Sequence, residues 1–314
     1  MGQSRMKILG RSTRLMVALL SVISFQLAYA EEGGDLPEIS AWKITTSPQV
    51  LYSSFSGATT RESLLGAGVS LDAQHLERWG LSLGVAGSQL SYKAASNKLN
   101  QTEGNLSGRV HLTPDFLSGQ LTLRTDILRA DNNDSTNETN NVNVIAPQIS
   151  YLNYGNTFYV DLGYARSRYG DSNAGNGSLT VAQWTPTIGF GFNEGGDWLQ
   201  LRAYNISPSN PVRAQSQSRT NAGELKWTHY FYADGLTPEQ VQVGALFGKR
   251  IYAVEGTNIY NLTDIQQGGT SLGAQWPIAQ DSHLFIQAGQ NRYDAGAGAS
   301  YSGNYAYFSL INQW

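Results

Sequence analysis

The 314-residue chain contains no cysteine and only four histidines. Without cysteine it can form neither a disulfide scaffold nor the lipid-modified thiol of a lipoprotein. Its longest apolar run, Leu15 to Phe25, is shorter than the roughly 20 residues that a membrane-spanning helix requires. These absences exclude a disulfide-rich domain and a helical membrane protein, and the lack of free thiols suits an oxidising compartment.

The first thirty residues are predicted to be a secretory signal peptide. A basic start precedes the short apolar run, and Ala28-Tyr29-Ala30 provides the small residues of a cleavage site. We therefore expect cleavage between Ala30 and Glu31. The basic residues of this segment are Arg5, Lys7, Arg11 and Arg14.

The mature chain is short of basic charge. Removing the four basic residues of the signal from the total of 21 leaves 17, against 24 acidic residues, a net charge of −7. A nucleic-acid binder would need a basic face, so that class is excluded. The chain is rich instead in glycine (34), tyrosine (17) and tryptophan (7), a mixture that suits a barrel with a polar interior and an apolar exterior.

Alternation of apolar and polar residues is the main structural signal. In Phe158–Tyr164, for example, one parity carries Phe158, Val160 and Leu162, and the other carries Tyr159 and Asp161. The pattern predicts an all-β fold, a transmembrane antiparallel up-and-down β-barrel of about 14 strands covering residues 41–314, preceded by a short periplasmic segment at 31–40. The predicted strands are 41–54, 62–72, 80–93, 102–112, 119–130, 141–153, 157–168, 178–191, 197–207, 220–232, 240–253, 268–277, 282–293 and 303–314.

The connections between these strands alternate in length and polarity. One set is short, as at 113–118 and 233–239, and the other is mostly longer and strongly polar, as at 131–140, 208–219 and 254–267. Bacterial barrels have short periplasmic turns and longer external loops, so the second set is predicted to face the cell exterior. Three prolines, Pro48, Pro147 and Pro186, fall inside predicted strands; they indicate either bulges or wrong strand limits.

Charged residues on the polar parity are predicted to face the lumen, because charge facing lipid is costly. They either pair and fill the interior or line a hydrated channel that selects solutes by its local field. Small residues on the same parity, including Gly84, Gly163 and Gly244, favour open space. The candidate pore-lining residues are Arg109, Arg124, Asp126, Asp161, Arg202, Glu224, Lys226 and Arg250, with Arg109 opposite Arg124 and Glu224 near Arg250.

Aromatic residues cluster near the predicted turns. Such rings favour the membrane interface, although aromatics near strand ends are common in any β protein. The predicted interfacial aromatics are Trp79, Trp198, Tyr230, Tyr232, Trp276 and Trp314.

No catalytic, metal or cofactor site is predicted. The histidines (His75, His111, His229 and His283) fall in or beside predicted periplasmic turns, and no hydrolase or phosphate-binding motif occurs. The Asp131–Glu138 loop has oxygen ligands but lacks the spacing of a calcium loop, so it is interpreted as a solvated external loop.

The signal peptide, the alternating strands, the asymmetry of turns and loops, and the aromatic terminal residue Trp314 together resemble the bacterial outer-membrane β-barrel superfamily. The size resembles the monomeric porins, and the Tyr- and Gly-rich hairpins loosely resemble YaiO-type barrels related to exopolysaccharide export. The resemblance rests on architecture, and no motif carries a functional residue over.

The resemblance implies a non-enzymatic porin-like channel in the bacterial outer membrane that passes small polar solutes or saccharides passively. The alternatives are an exopolysaccharide export or assembly barrel working with separate partners, and a filled-lumen adhesin or scaffold. The implied partners are outer-membrane lipid and lipopolysaccharide, the barrel-assembly machinery through the C-terminal strand, and saccharides.

Overall fold

A computed structural model of the protein describes residues 41–76, 78–93, 98–231, 237–260 and 263–314. The predicted signal peptide and the segment 31–40 lie outside these residues. No helix within the described ranges is long and apolar enough to cross a membrane.

Fourteen long strands form one closed antiparallel barrel, as the alternation predicted. Each strand pairs with its neighbours in sequence, except that β11 pairs with β14, and the first strand closes the barrel on the last. The intervening β12 and β13 form a separate small hairpin. The strands are β1 Trp42–Ser56, β2 Arg61–His75, β3 Trp79–Tyr92, β4 Leu99–Leu112, β5 Gly119–Asn132, β6 Val142–Asn153, β7 Phe158–Tyr169, β8 Leu179–Phe192, β9 Asp197–Pro208, β10 Thr220–Tyr230, β11 Gln240–Arg250, β12 Val254–Glu255, β13 Asn258–Ile259, β14 Ile265–Ala279, β15 Ser282–Asp294 and β16 Ser300–Gln313.

The connections separate into two ends of the barrel. The end that we call the turn end carries 76–78, 113–118, 154–157, 193–196, 231–239 and 280–281. The other, called the loop end, carries 57–60, 93–98, 133–141, 170–178, 209–219, 251–264 and 295–299. The short connections 113–118 and 233–239 and the longer ones 131–140, 208–219 and 254–267 of the sequence analysis fall at opposite ends, and the loop end also includes the short connection 57–60.

The outer face of the barrel is apolar. Leu81, Leu83 and Val85 of β3 are 50%, 54% and 57% exposed, whereas Gly84 between them is buried on the inner face. A monomeric soluble protein rarely exposes a contiguous apolar surface of this extent. In a soluble β-sandwich the apolar faces of the sheets are buried between them. Here the apolar face is the outer surface of the barrel, as in barrels surrounded by lipid.

The three prolines inside strands require neither bulges nor different strand limits. Around Pro147, the β6–β7 pairing passes from Ile145↔Arg166 to Gln148↔Gly163, two residue pairs are unassigned and the register is unchanged. Pro48 and Pro186 lie in equivalent gaps of the β1–β16 and β8–β9 pairings. Because proline has no N–H, each one opens a single ladder locally while the ladder on the other side of its strand continues.

Two predicted elements differ from the structure. The strand expected at 240–253 ends at Arg250: its pairing with β14 resumes after a bulge at Arg250↔Gln266 and then stops, because Tyr252 takes a left-handed φ of 53° and the chain leaves the wall. The loop expected at 254–267 contains the β12–β13 hairpin, whose Val254 and Ile259 are buried.

That hairpin belongs to a packed apolar core inside the loop end. Ile251, Tyr252 and Ala253 are each 1% exposed and pack with inner-face side chains of the surrounding strands. These wall residues include Leu128, Val142, Val144, Leu179, Val181, Tyr204 and Ile206. The connection 251–264 is called the inserted loop below, and its described residues, 251–260 and 263–264, therefore fold into the barrel instead of extending outwards.

Candidate functional site

All eight predicted pore-lining residues lie on the inner face. Asp161, for example, is 4% exposed between Val160 and Leu162, which are 40% and 44% exposed on the outer face. The residues placed in this way are Arg109, Arg124, Asp126, Asp161, Arg202, Glu224, Lys226 and Arg250.

Arg109 pairs with an acid that the sequence analysis did not single out. Its two terminal nitrogens contact the carboxylate of Asp72 at 2.6 and 2.7 Å, and its Nε donates to Gln74 Oε1 at 2.8 Å. The guanidinium lies over Gly80, where an added Cβ would meet Arg109 Cζ at 2.7 Å. The glycine thus provides space for a bidentate ion pair flat against the wall.

Arg124 stands directly opposite Arg109 in the β4–β5 register, as the hairpin predicted. It forms an ion pair with Asp126 at 2.9 Å, and Ser107 donates a further hydrogen bond to that carboxylate. The two arginines at this level are therefore each neutralised by a separate aspartate. Asp72 and Arg124 keep 34% and 31% of their side chains exposed, so both contact solvent inside the barrel.

A second charged cluster joins the inserted loop to the wall. Glu255 of the loop contacts Arg250 at 3.0 Å and Arg202 at 4.0 Å, and the Arg250 guanidinium lies 4.6 Å from the ring centroid of Tyr260. Burial acts to raise the pKa of Glu255, but the charges of Arg250 and Arg202 outweigh it and lower that pKa. Glu224, which the sequence placed near Arg250, is not the ion-pair partner of that arginine. It accepts a hydrogen bond from Tyr204 Oη at 3.1 Å instead.

The far side of the inserted loop is fixed to the opposite wall. Asp264 pairs with Arg61 of β2 at 2.8 Å and accepts a hydrogen bond from Tyr301 of β16 at 2.5 Å. Near the start of the loop, the side-chain amide of Gln183 donates to Val254 O at 2.6 Å and accepts from Val254 N at 3.0 Å. The loop is thus held by β8 on one side and by β2 and β16 on the other, and it spans the lumen.

The buried side chain of Arg213 joins three other connections of the loop end. The side chain of Arg213 is fully buried and donates to the carbonyl oxygens of Gly170, Gly177 and Glu138 at 2.8, 2.9 and 2.6 Å. The Tyr252 hydroxyl of the inserted loop donates to Arg213 O at 2.6 Å. The connections 133–141, 170–178 and 209–219 therefore form one hydrogen-bonded cap over the inserted loop.

The space directly beside three of the small inner-face residues is taken by polar side chains. A Cβ at Gly84, Gly163 or Gly244 would come within 2.4, 2.4 or 2.5 Å of the side chain of Asn105, Thr185 or Ser271, respectively. Polar side chains from the neighbouring strand lie over these glycines. The result is a smooth inner wall rich in amides and hydroxyls.

The predicted interfacial aromatics divide into several groups. Trp79 and Trp314 are 36% and 57% exposed on the outer face at the turn end, and Trp276 shares the outer parity of β14 with Leu272. Tyr230 is 41% exposed at the end of β10, whereas Trp198 covers Gly189 on the inner face. Tyr232 lies outside the described residues. The sequence analysis missed Trp42, whose ring packs 4.9 Å from that of Trp79, and Trp227 and Trp184, which are 37% and 47% exposed.

The histidines make local contacts at the turn end. His229 Nδ1 lies 2.8 Å from Asp197 Oδ1, and His111 Nδ1 lies 2.8 Å from Thr122 Oγ1. Within the described ranges, no three potential ligands among His, Cys, Asp and Glu come together to hold a metal ion.

Comparison with known proteins identifies the class of fold. No family model matches the chain, and no curated protein matches it in sequence. Among solved structures, the chain is similar to the CymD monoaromatic hydrocarbon channel, with a TM-score of 0.54, 9% identity and coverage of 87% of this chain and 88% of that one. It is also similar to the Pseudomonas putida toluene transporter TodX, with a TM-score of 0.51, 10% identity and coverage of 94% and 93%.

The chain therefore has the fold of bacterial outer-membrane β-barrel channels. At this level of identity, the likeness concerns the fold alone.

Proposed function

We propose that the protein is a porin-like channel of the bacterial outer membrane, through which small polar solutes pass passively without chemical change. The observation that carries the proposal is the contrast between the two halves of the lumen. The turn-end half has a polar, solvent-contacting wall containing Asp72 and Arg124, and the loop-end half is crossed by the inserted loop. The inserted loop would therefore set the bore of the passage.

The wall chemistry favours uncharged, hydroxyl-rich solutes such as saccharides. Its arginines are paired with aspartates, which leaves little net field at that level. Amide and hydroxyl groups, such as Gln49 hydrogen-bonded to Tyr307 at 2.6 Å, match the donors and acceptors of a sugar. The polar wall gives no reason to transfer the hydrocarbon cargo of CymD or TodX to this chain.

One structural feature favours a second function. Because the inserted loop and the aromatic cluster of Phe55, Tyr293 and Tyr301 pack inside the loop end, the same barrel could serve as a filled scaffold or adhesin that displays its loops. Export of a polysaccharide chain would require displacement of the inserted loop, so we give it less weight.

Membrane placement and orientation can be tested directly, because the chain has no native cysteine. A cysteine replacing the exposed Asn133 should react with an impermeant thiol reagent on intact cells, and one replacing Asp115 should not. Gln215 is a poorer labelling site than Asn133, because Gln215 is half-buried and its amide donates to Thr263 O at 2.9 Å. Recovery of the mature chain, beginning at Glu31, in the soluble periplasm would contradict the placement.

Channel function is tested by swelling of liposomes that contain the purified, folded protein. We expect uncharged mono- and disaccharides to enter faster than into protein-free liposomes, with rates that fall steeply as the sugar becomes larger. A hydrocarbon dye should show no comparable gain. Liposomes that contain the folded barrel but admit no sugar would favour the filled scaffold.

A further inference from the structure

The outer face of the barrel carries an arginine cluster near the loop end, formed by Arg129 of β5 and Arg166 and Arg168 of β7. All three side chains are exposed, and they occupy the same face as Ile127, Ile145 and Leu162. The other outer-face residues in the middle of these strands are mainly apolar. The cluster is therefore a local excess of charge at the border of the apolar surface.

Cross-strand pairing brings the three arginines close together. Arg129 and Arg168 are both partners of Asn143 on the intervening strand β6, which places their Cα atoms roughly 10 Å apart, at two strand spacings. Arg166 is two residues from Arg168 on the same face, roughly 7 Å along the strand. One headgroup bearing more than one phosphate could contact all three guanidinium groups.

An aromatic pair marks the depth of the cluster in the membrane. The rings of Tyr164 and Trp184 lie 4.8 Å apart on the outer face, and Trp184 is 47% exposed. Amphipathic rings of this kind favour the membrane–water interface. Arg166 lies two residues beyond Tyr164 towards the loop end, so its guanidinium reaches the level of the lipid headgroups.

Two of the three arginines, Arg166 and Arg168, are not neutralised by the part of the protein that the structure describes. Arg129 contacts Asp131 at 2.7 Å, but neither Arg166 nor Arg168 forms an ion pair or side-chain hydrogen bond with any residue that the structure describes. The neighbours of Arg166 on the outer face are Ile145 and Ala182, and the neighbour of Arg168 on β8 is Thr180. Small side chains on β8 leave room for a ligand beside the two unpaired arginines.

An arginine on the lipid face of a barrel is costly at the bilayer midplane and costs almost nothing at the interface. Guanidinium groups bind phosphate bidentately, and the hydrogen bonds are charge-assisted. We propose that Arg129, Arg166 and Arg168 form a binding site for the phosphate groups of a lipid A-type glycolipid in the outer leaflet. The inference rests on the proposed outer-membrane placement but not on channel activity.

The test is native mass spectrometry of the full, folded protein in detergent, titrated with diphosphoryl lipid A or with the same lipid lacking its phosphates. We expect about one tightly bound diphosphoryl lipid A per barrel, held at least about tenfold more tightly than the dephosphorylated lipid. Replacing Arg166→Gln and Arg168→Gln together should remove most of that difference. The lysine pair Arg166→Lys and Arg168→Lys keeps the charge and should retain part of it.

A matched control removes two exposed arginines elsewhere, Arg78→Gln at the turn end and Arg292→Gln on β15, and should bind lipid A like the unmodified protein. Equal weakening in the control pair would overturn the site, as would binding that ignores the lipid phosphates. Competition by inorganic phosphate or phosphatidylglycerol at the same concentration as lipid A would show only a general anion effect and would also overturn it.

The failure of this inference is separable from that of the channel. A protein that conducts but shows no phosphate-dependent lipid binding contradicts the arginine site alone. A protein that binds lipid A through these arginines but admits no solute contradicts the channel alone.

Discussion

At the scale of single residues, ion pairs with aspartates determine how much positive charge the lumen arginines present to a solute. The sequence places Arg109 directly opposite Arg124, and two unpaired arginines there would make this level of the lumen positive. The structure gives each arginine its own aspartate, Asp72 or Asp126, and thereby removes the reason for strong anion preference. Asp72 was missed because it is 37 positions before Arg109 and meets it across β3, a contact that only the full strand register specifies.

The ion pairs of Arg109 with Asp72 and of Arg124 with Asp126 lead to a prediction about ion selectivity. Replacing Arg109→Gln and Arg124→Gln leaves two carboxylates unpaired in the turn-end half of the lumen. The reversal potential in a salt gradient should therefore shift towards cation selectivity, from a nearly unselective starting value. The quadruple variant that also carries Asp72→Asn and Asp126→Asn should return close to the original selectivity. An unchanged reversal potential in the double variant would mean that these pairs do not face the conduction path.

A second residue-scale prediction concerns pH. Burial acts to raise the pKa of Asp134, but hydrogen bonds from the Thr136 hydroxyl and from the backbone amides of Thr136, Thr139 and Glu138 outweigh it, so the pKa lies below its usual value of 3.8. A lowered folded-state pKa means that this carboxylate stabilises its loop above pH 3.8 and ceases to do so as the pH falls through the lowered value.

A spin label on a cysteine replacing the exposed Ser135 reports this loop. Its spectrum should stay immobile from pH 8 to about pH 5 and become mobile only below about pH 3.8. With Asp134→Asn, the label should be mobile at every pH. Loss of order near neutral pH in the otherwise unmodified protein would contradict the assignment.

At the scale of elements, the sequence predicts strands well and the inserted loop poorly. Alternation identifies all fourteen barrel strands, because each has one lipid-facing and one inner face. The prolines inside strands do not disturb this alternation. Each one interrupts the hydrogen bonding to one neighbouring strand without shifting the register, as Pro147 does between β6 and β7. The inserted loop was assigned to the exterior because its length and polarity resemble those of the other long loops. Its inward course depends on non-local contacts such as Asp264 with Arg61 and Gln183 with Val254.

The loop-end cap yields a prediction at this scale. Replacing Arg213→Ala leaves several buried carbonyl oxygens and Glu138 without their partner, and disruption of a buried ion pair costs about 3–5 kcal/mol. Amide hydrogen exchange in 133–141 and 170–178 should accelerate by at least about 100-fold, while the barrel strands stay protected. Arg219→Ala, which removes an exposed arginine from the same connection, should have little effect. Exchange that accelerates equally throughout the barrel would show that Arg213 supports the whole fold.

At the scale of the whole molecule, an apolar exterior surrounds a lumen with two unlike halves. Closure of β1 on β16 leaves no free sheet edge, which a barrel in lipid requires. The size of such a barrel leaves the interior either open or filled, and here the inserted loop, the cap above it and the cluster of Phe55, Tyr293 and Tyr301 occupy the loop-end half. That is why the strand number follows from the sequence, whereas the bore of the passage does not.

The central claim is that a polar passage exists and that the inserted loop restricts it. The most direct measurement is single-channel conductance in a planar bilayer, comparing the protein with a variant in which residues 252–263 are replaced by a short glycine–serine turn. We predict small conductance steps for the protein and clearly larger, stable steps for the variant, with both chains folded and inserted. A folded, inserted variant that carries no current would contradict the claim.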